Sequence, residues 1–215
     1  MSRTIKVTGR AKANCPPDKI TLSMTLEASH KDYQKTLDIA AEKLERLQSA
    51  AASAGFMKKE LKTSSFNVAD EYEYAQPGVI GNNRQFVGYK CSHRLTLEFD
   101  MDMERLGKVL AALSECEADS EFHISFGVKD TNTLKKQLLA QAVEDAAEKA
   151  EILAKAARVS LKEITSIICG KFDEDIESPT YYCEQEYSVL RAMPANMTPE
   201  DVSADISVNV QWEIE

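Results

Sequence analysis

The chain has 215 residues, of which 43% are hydrophobic and 28% are charged, a composition typical of a folded globular protein and not of a disordered one. Its formal net charge is −9, and nucleic-acid binding draws much of its affinity from Lys and Arg on phosphates, so we expect no nucleic-acid partner. No window reaches the roughly 20 apolar residues that a transmembrane helix needs, so we expect no membrane span.

The start of the chain and its cysteines both favour a cytoplasmic location. The first residues, MSRTIKVTGRAKA, hold no apolar segment of the kind found in secretory signals. The five cysteines are odd in number and never form C-x-x-C, so neither a disulfide framework nor a zinc knuckle is predicted. Reduced thiols fit the cytosol.

The first half of the chain predicts a strand, a helix and a hairpin. Apolar residues alternate with polar ones over 20–27, which indicates a strand with one buried face. Apolar residues then recur every three or four positions over 32–54, and Gly55 follows as a helix stop. Residues 70–88 place Pro and Gly between two strand-like arms, which predicts a hairpin with a long tip.

The second half predicts two strands, two helices and a long closing strand. Alternation marks strands over 94–99 and 122–128, and it continues without a break over 202–214. Helical spacing marks 103–116, with Asp102 as its N-cap, and a long helix over 133–158.

Strands with one solvated face beside amphipathic helices predict an α+β fold. We expect about seven or eight strands in mainly antiparallel sheets, with three helices packed on one face. A stripe on helix 133–158 that includes Ala142, Ala146, Ala150, Leu153 and Ala157 predicts core packing. Further alanines beside this stripe predict that helix 32–54 packs against the same helix: Ala140, Ala147, Ala154 and Ala156. The chain is expected to be one domain over 1–215, or two intertwined subdomains of about 1–80 and 81–215.

The sequence shows no complete catalytic, metal or cofactor motif, so no cofactor and no catalytic or metal residue is predicted. Cys91 and His93 lie two apart on one strand and could supply two metal ligands, whereas a site normally needs three or four. The acidic run over 173–177 lacks the spacing of a calcium loop. No glycine-rich phosphate-binding motif occurs.

Tyrosines concentrate in the predicted hairpin and in the irregular acidic segment over 173–200. Amphipathic rings with few rotatable bonds suit a contact surface, so these tyrosines form a candidate interface; packing on edge strands is the alternative. They are Tyr72, Tyr74, Tyr181, Tyr182 and Tyr187.

Five stretches together carry a family resemblance that covers the chain from Val7 to Ile214. They are VTGRAKANCPPDKITLSMTLEA, GFMKKELKTSSFNV, FVGYKCSHRLTLEF, FHISFGVKDTNTLKKQLLAQAVEDAAEKAEILAKAARVSLKEI and TPEDVSADISVNVQWEI. In order and spacing they resemble the SIMPL family, a domain of unknown biochemical function that is named for a kinase-associated signalling molecule.

The resemblance implies an α+β fold, no established catalytic residue and large homo-oligomers in at least some members. Relatives include bacterial periplasmic and outer-membrane immunogenic proteins linked to oxidative-stress defence. Two features depart from the family pattern: the start lacks an export signal, and Glu200 stands where Pro-Gly often precedes the last strand. A periplasmic location is therefore not carried over.

Three hypotheses of function follow from these observations. The leading one is a non-enzymatic, self-associating bacterial protein, a stress-related scaffold or a binding module. The first alternative is an enzyme or metal-dependent protein whose site is assembled from distant residues, such as Cys91, His93 and the acids over 173–177. The second alternative is an adaptor that binds a protein partner through the hairpin at 70–88, by analogy with kinase-associated relatives.

Overall fold

The computed structural model describes residues 3–74, 84–116, 118, 120–170, 181–183 and 198–215. Eight strands and three α-helices occur in these ranges, with a short 3-10 helix before the third strand. In chain order they are β1 (Thr4–Cys15), β2 (Lys19–His30), α1 (Tyr33–Ser53), the 3-10 helix (Lys58–Glu60), β3 (Leu61–Tyr74), β4 (Arg84–Asp100), α2 (Met103–Glu115), β5 (Ser120–Gly127), α3 (Thr131–Ala157), β6 (Leu161–Cys169), β7 (Tyr181–Cys183) and β8 (Val202–Ile214).

The chain divides into two compact units whose segments interleave in the sequence. The first holds 1–18, 126–178 and 199–215, and the second holds 19–125 and 179–198. The sequence-based division into subdomains of about 1–80 and 81–215 is a different one and stays a prediction.

In the first unit, α3 covers one face of a three-stranded sheet with the order β1-β8-β6. β8 is central and pairs antiparallel with both neighbours. Its alternate residues enter the core, from Val202 to Trp212, while the residues between them face away from it. This is the pattern that the alternation of the sequence predicts.

Helix α3 lies unusually close to β1. Its buried residues recur every four positions and are mostly alanine: Leu134, Leu138, Ala142, Ala146, Ala150 and Ala154. Gly9 of β1 faces this stripe, and a Cβ atom there would lie 1.9 Å from the Ala142 carbonyl oxygen and 2.8 Å from the Ala146 Cβ. Small residues on both sides therefore set the distance between helix and sheet.

In the second unit, α1 and α2 pack together, and α1 also packs on β2 and β4. The five-stranded sheet has the order β3-β4-β2-β5-β7. Both β2 and β3 pair antiparallel with β4. The predicted stripe of α2 is buried, as is Leu47 of α1.

The α+β class and the order of the elements are confirmed, and β7 is an additional short strand. The N-cap prediction at Asp102 is also confirmed, because its carboxylate accepts a hydrogen bond from the Arg105 N–H at 2.9 Å. Aspartates cap the other two helices in the same way, Asp32 for α1 and Asp130 for α3.

One packing prediction is wrong. The helix that packs against α1 is α2. The main stripe of α3 packs in the core on the sheet of the first unit, but Ala140 and Ala156, for which helix 32–54 was the expected cover, are exposed. The stripe also ends differently: Ala154 is buried, while Leu153 and Ala157 are exposed. A stripe of small residues indicates close approach, but it does not tell a helix partner from a sheet.

Candidate functional site

Cys91 and His93 occupy one face of β4, as their spacing predicts, and both are buried. The His93 Nε2 lies 2.9 Å from the Thr63 hydroxyl oxygen, and the His93 ring meets Phe66 edge-on with 5.1 Å between centroids. Burial lowers the pKa of His93 and raises the pKa of the Cys91 thiol. At neutral pH the imidazole is therefore neutral and the thiol keeps its proton.

Burial of Cys91 disfavours both metal binding and nucleophilic attack by its thiol. Metal binding and nucleophilic attack by cysteine both require the thiolate, which burial disfavours here. Within the described ranges, no three His, Cys, Asp or Glu side chains come together as a metal cluster. The acids over 173–177 lie outside the described residues.

A shallow groove of about 520 Å³ lies between α1 and α2. Three carboxylates line it, together with Arg46 and the Cys116 thiol: Glu42, Glu45 and Glu115. Arg46 is already paired with Glu42 at 2.7 Å. Burial is the main cause that raises the pKa of Cys116, whose thiol donates to the Leu113 carbonyl. The groove therefore presents a protonated thiol and a partly neutralised acidic rim.

The second unit exposes a chain of aromatic rings at the junction of β3, β4 and the start of α1. Tyr72 meets Phe86 at 5.8 Å between centroids, Phe86 meets Tyr89 at 5.3 Å, and Tyr89 meets Tyr33 at 5.3 Å, all edge-on. Tyr33, Tyr72 and Phe86 are 49%, 47% and 45% exposed. Together with Phe66, which is 54% exposed, these residues are here termed the aromatic strip.

Local geometry explains why these rings gather. Tyr72 is the register partner of Phe86, next to an irregularity between Glu71 and Tyr72. Gly88 lets β4 pass close to the end of β2, because a Cβ atom there would lie 2.6 Å from the His30 carbonyl oxygen. Cross-strand aromatic pairs stabilise a hairpin even where the outer surface of the rings is exposed to solvent.

Among the five tyrosines of the candidate interface, the structure describes the side chain of Tyr72, which is exposed in the aromatic strip. The side chains of Tyr74, Tyr181 and Tyr182, the whole of Tyr187 and the hairpin tip at 75–83 lie outside the described residues. An interface role for the five tyrosines stays a prediction.

Sequence reasoning missed the other four residues of the aromatic strip, which are Phe86, Tyr89, Tyr33 and Phe66. The only available signal was that Phe86 falls inside the predicted hairpin.

Beside the strip, β3 is an edge strand and is exposed along most of its length. From Lys62 to Glu73 only Val68 and Glu71 are half-buried, and the other residues are exposed. Charge is unevenly distributed along the strand: Lys62 lies near its start, and Asp70, Glu71 and Glu73 lie near its end.

The family model SIMPL, described as a protein of unknown function (DUF541), matches residues 5–212. The chain belongs to the SIMPL family. This confirms the resemblance from Val7 to Ile214, and it adds no activity, because the family itself is of unknown function.

Two curated relatives of this SIMPL chain are 26 kDa periplasmic immunogenic proteins of Brucella. The protein from Brucella melitensis is 24% identical over 98% of this chain and 84% of its own length. The protein from Brucella abortus is 23% identical with the same coverage. Among solved structures, the regulatory subunit of aspartate kinase from Thermus flavus is 12% identical over 96% of this chain and 89% of its own, and its TM-score of 0.16 is too low to carry an argument.

The expectation of a cytoplasmic location is wrong, because both Brucella relatives are named as periplasmic proteins. That expectation rested on the first residues and on the cysteines, neither of which reports the compartment by itself. Within the described ranges, no helix has the length and apolarity to cross a membrane.

Proposed function

We propose that this chain is a non-enzymatic, self-associating protein of the bacterial periplasm that acts as a scaffold. The observation that carries the proposal is the aromatic strip. It joins four rings edge to edge and includes Phe66 on the same strand as Tyr72, and four of the five rings are about half exposed. Aromatic residues are enriched at protein interfaces, and clustered apolar exposure marks interaction sites more often than scattered exposure does.

Two further observations support the proposal. Burial raises the pKa of the Cys91 thiol, which disfavours the thiolate that a nucleophilic cysteine needs. The named location of the Brucella relatives supports a periplasmic place of action.

Light scattering coupled to size exclusion tests self-association directly. The full chain has a mass of 23.9 kDa, and we expect a larger mass at tens of micromolar that falls on dilution. The double variant F66S/F86S should stay closer to the monomer mass, because it removes two rings that are about half exposed.

The matched control is Ile152→Ser on α3, since Ile152 is 68% exposed and lies in the first unit. It should self-associate as the unmodified chain does. A constant mass of one chain at every concentration would contradict the proposal.

A further inference from the structure

β3 offers an open strand edge of unusual length. It has 14 residues, whereas most strands have about five or six, and it stands at the end of the β3-β4-β2-β5-β7 sheet. β4 pairs with one side of it, and no other described strand pairs with the opposite side. The N–H and C=O groups on such an edge are a template for one more strand.

The edge of β1 in the first unit shows how this chain covers an edge elsewhere. There, Asp145 of α3 accepts a hydrogen bond from the Arg10 N–H at 2.7 Å, and the Lys149 ammonium donates to the Thr8 carbonyl at 3.4 Å. The edge of β1 is covered by its own helix, whereas within the described ranges the element that packs against β3 at length is β4.

The charges on β3 indicate which strand fits this edge. Lys62 lies near the start of the strand, and the acids Asp70, Glu71 and Glu73 lie near its end. A second β3 running antiparallel would place each lysine beside acids of the other copy, whereas a parallel arrangement would place like charges together. The strand is therefore complementary in charge to itself in the antiparallel sense.

We propose that β3 pairs antiparallel with β3 of a second copy of this chain, around a two-fold axis near Asn67. The proposal rests on the proposed self-association and assigns it a surface. A two-fold interface requires a self-complementary surface, and an edge strand with opposite charges at its two ends supplies one. The new strand pair would also bring the Phe66 rings of both copies to the same interface.

The strand register supports Asn67 as the centre. On β4, the register partners of Lys62, Asn67 and Glu71 are Thr96, Ser92 and Gly88. These partners are separated by even numbers of residues, so the three β3 residues lie on the same face of the sheet. Lys62 is five residues before Asn67 and Glu71 is four after it, but the irregularity between Thr63 and Ser65 takes up one residue. The two charges are therefore equally far from Asn67 in pairing positions, and each would lie opposite the other charge of the second copy.

Charge reversal tests this pairing. K62E places two glutamates opposite each other, and E71K places two lysines opposite each other, so each variant should raise the Kd of self-association by about tenfold, because the repulsive pair occurs twice. An equimolar mixture of K62E and E71K chains should associate within about threefold of the unmodified Kd, because every pair is again of opposite charge. The double variant K62E/E71K should do the same on its own.

The matched control for K62E is K12E, which makes the same change in net charge at an exposed position of β1 and should leave the Kd unchanged. Sedimentation equilibrium gives the Kd values, and circular dichroism verifies the fold of each variant. Self-association that K62E and E71K leave intact would overturn the β3 pairing while the proposed function stands. A full chain that stays monomeric overturns both and leaves the β3 edge to a strand of another protein.

Discussion

Gly9 and Ala146 lie where α3 packs tightly against β1 in the first unit. The Ala146 side chain is fully buried, and a Cβ atom at Gly9 would lie 2.8 Å from its Cβ. Ala146→Leu adds three carbons where helix and sheet already touch, so we expect it to lower the free energy of unfolding by about 1–3 kcal/mol. Thermal or urea unfolding followed by circular dichroism measures the change.

Ala156→Leu is the control for that substitution, because Ala156 lies on the same helix and is exposed. It should change the free energy of unfolding by no more than about 0.5 kcal/mol. Equal effects of the two substitutions would mean that the Ala146 contact with β1 is not tight.

At the scale of single residues, the sequence predicts hydrogen bonds between near neighbours in the chain better than it predicts burial. Asp102 was identified as an N-cap because capping depends on neighbours a few positions away. Cys91 and His93 are buried on the strand against which α1 packs, and no local pattern in the sequence reports this burial or the pKa shifts that it causes. The aromatic strip escaped detection for the same reason, since the register of β3 with β4 brings Tyr72 to Phe86.

At the scale of elements, α3 protects the edge of β1 as well as covering its face. The hydrogen bond from the Lys149 ammonium is the main cause that holds the pKa of Asp145 below its ordinary value, and the hydrogen bond from the Arg10 N–H is the second cause. The carboxylate is therefore ionised at a pH above the lowered pKa, and its hydrogen bonds are lost as the pH falls through that pKa. We expect Asp145→Ala to speed hydrogen exchange of the Arg10 amide, because the amide loses its acceptor.

Amide exchange followed by NMR measures the exchange rate of the Arg10 amide. Glu148→Ala is the control, because Glu148 is an exposed acid one turn further along α3. The control should leave the Arg10 amide unchanged. An Arg10 exchange rate that is the same in both variants would show that the edge of β1 is not protected by Asp145.

Element boundaries were largely predictable, and element partners were not. Alternation located β2, β4 and β8, and helical spacing located α1, α2 and α3, because a regular element shows its period wherever one face is buried. The choice of partner for α3 needed the position of Gly9, which lies more than 120 residues earlier in the chain. The irregularities in β3 were also invisible, since a bulge breaks the period that reveals a strand.

At the scale of the whole molecule, the net charge of −9 opposes assembly unless opposite charges meet at the contact. The asymmetry of β3 provides such a local match, with Lys62 on one copy and Glu71 on the other. A surface of this kind combines a specific register with an apolar centre at Phe66, which is 54% exposed. Long-range repulsion then limits association to copies that meet in the antiparallel orientation.

Pairing through β3 also links stability to concentration. An unfolded chain has no strand edge to offer, so self-association stabilises the folded state by mass action. For a chain of this size, each tenfold increase in protein concentration above the Kd should raise the Tm by about 1–3 °C. K62E should have a Tm that is nearly independent of concentration up to its own Kd, which is about tenfold higher, while K12E should follow the unmodified chain. Scanning calorimetry measures all three, and a concentration-dependent Tm in K62E equal to that of the unmodified chain would place the contact on another surface.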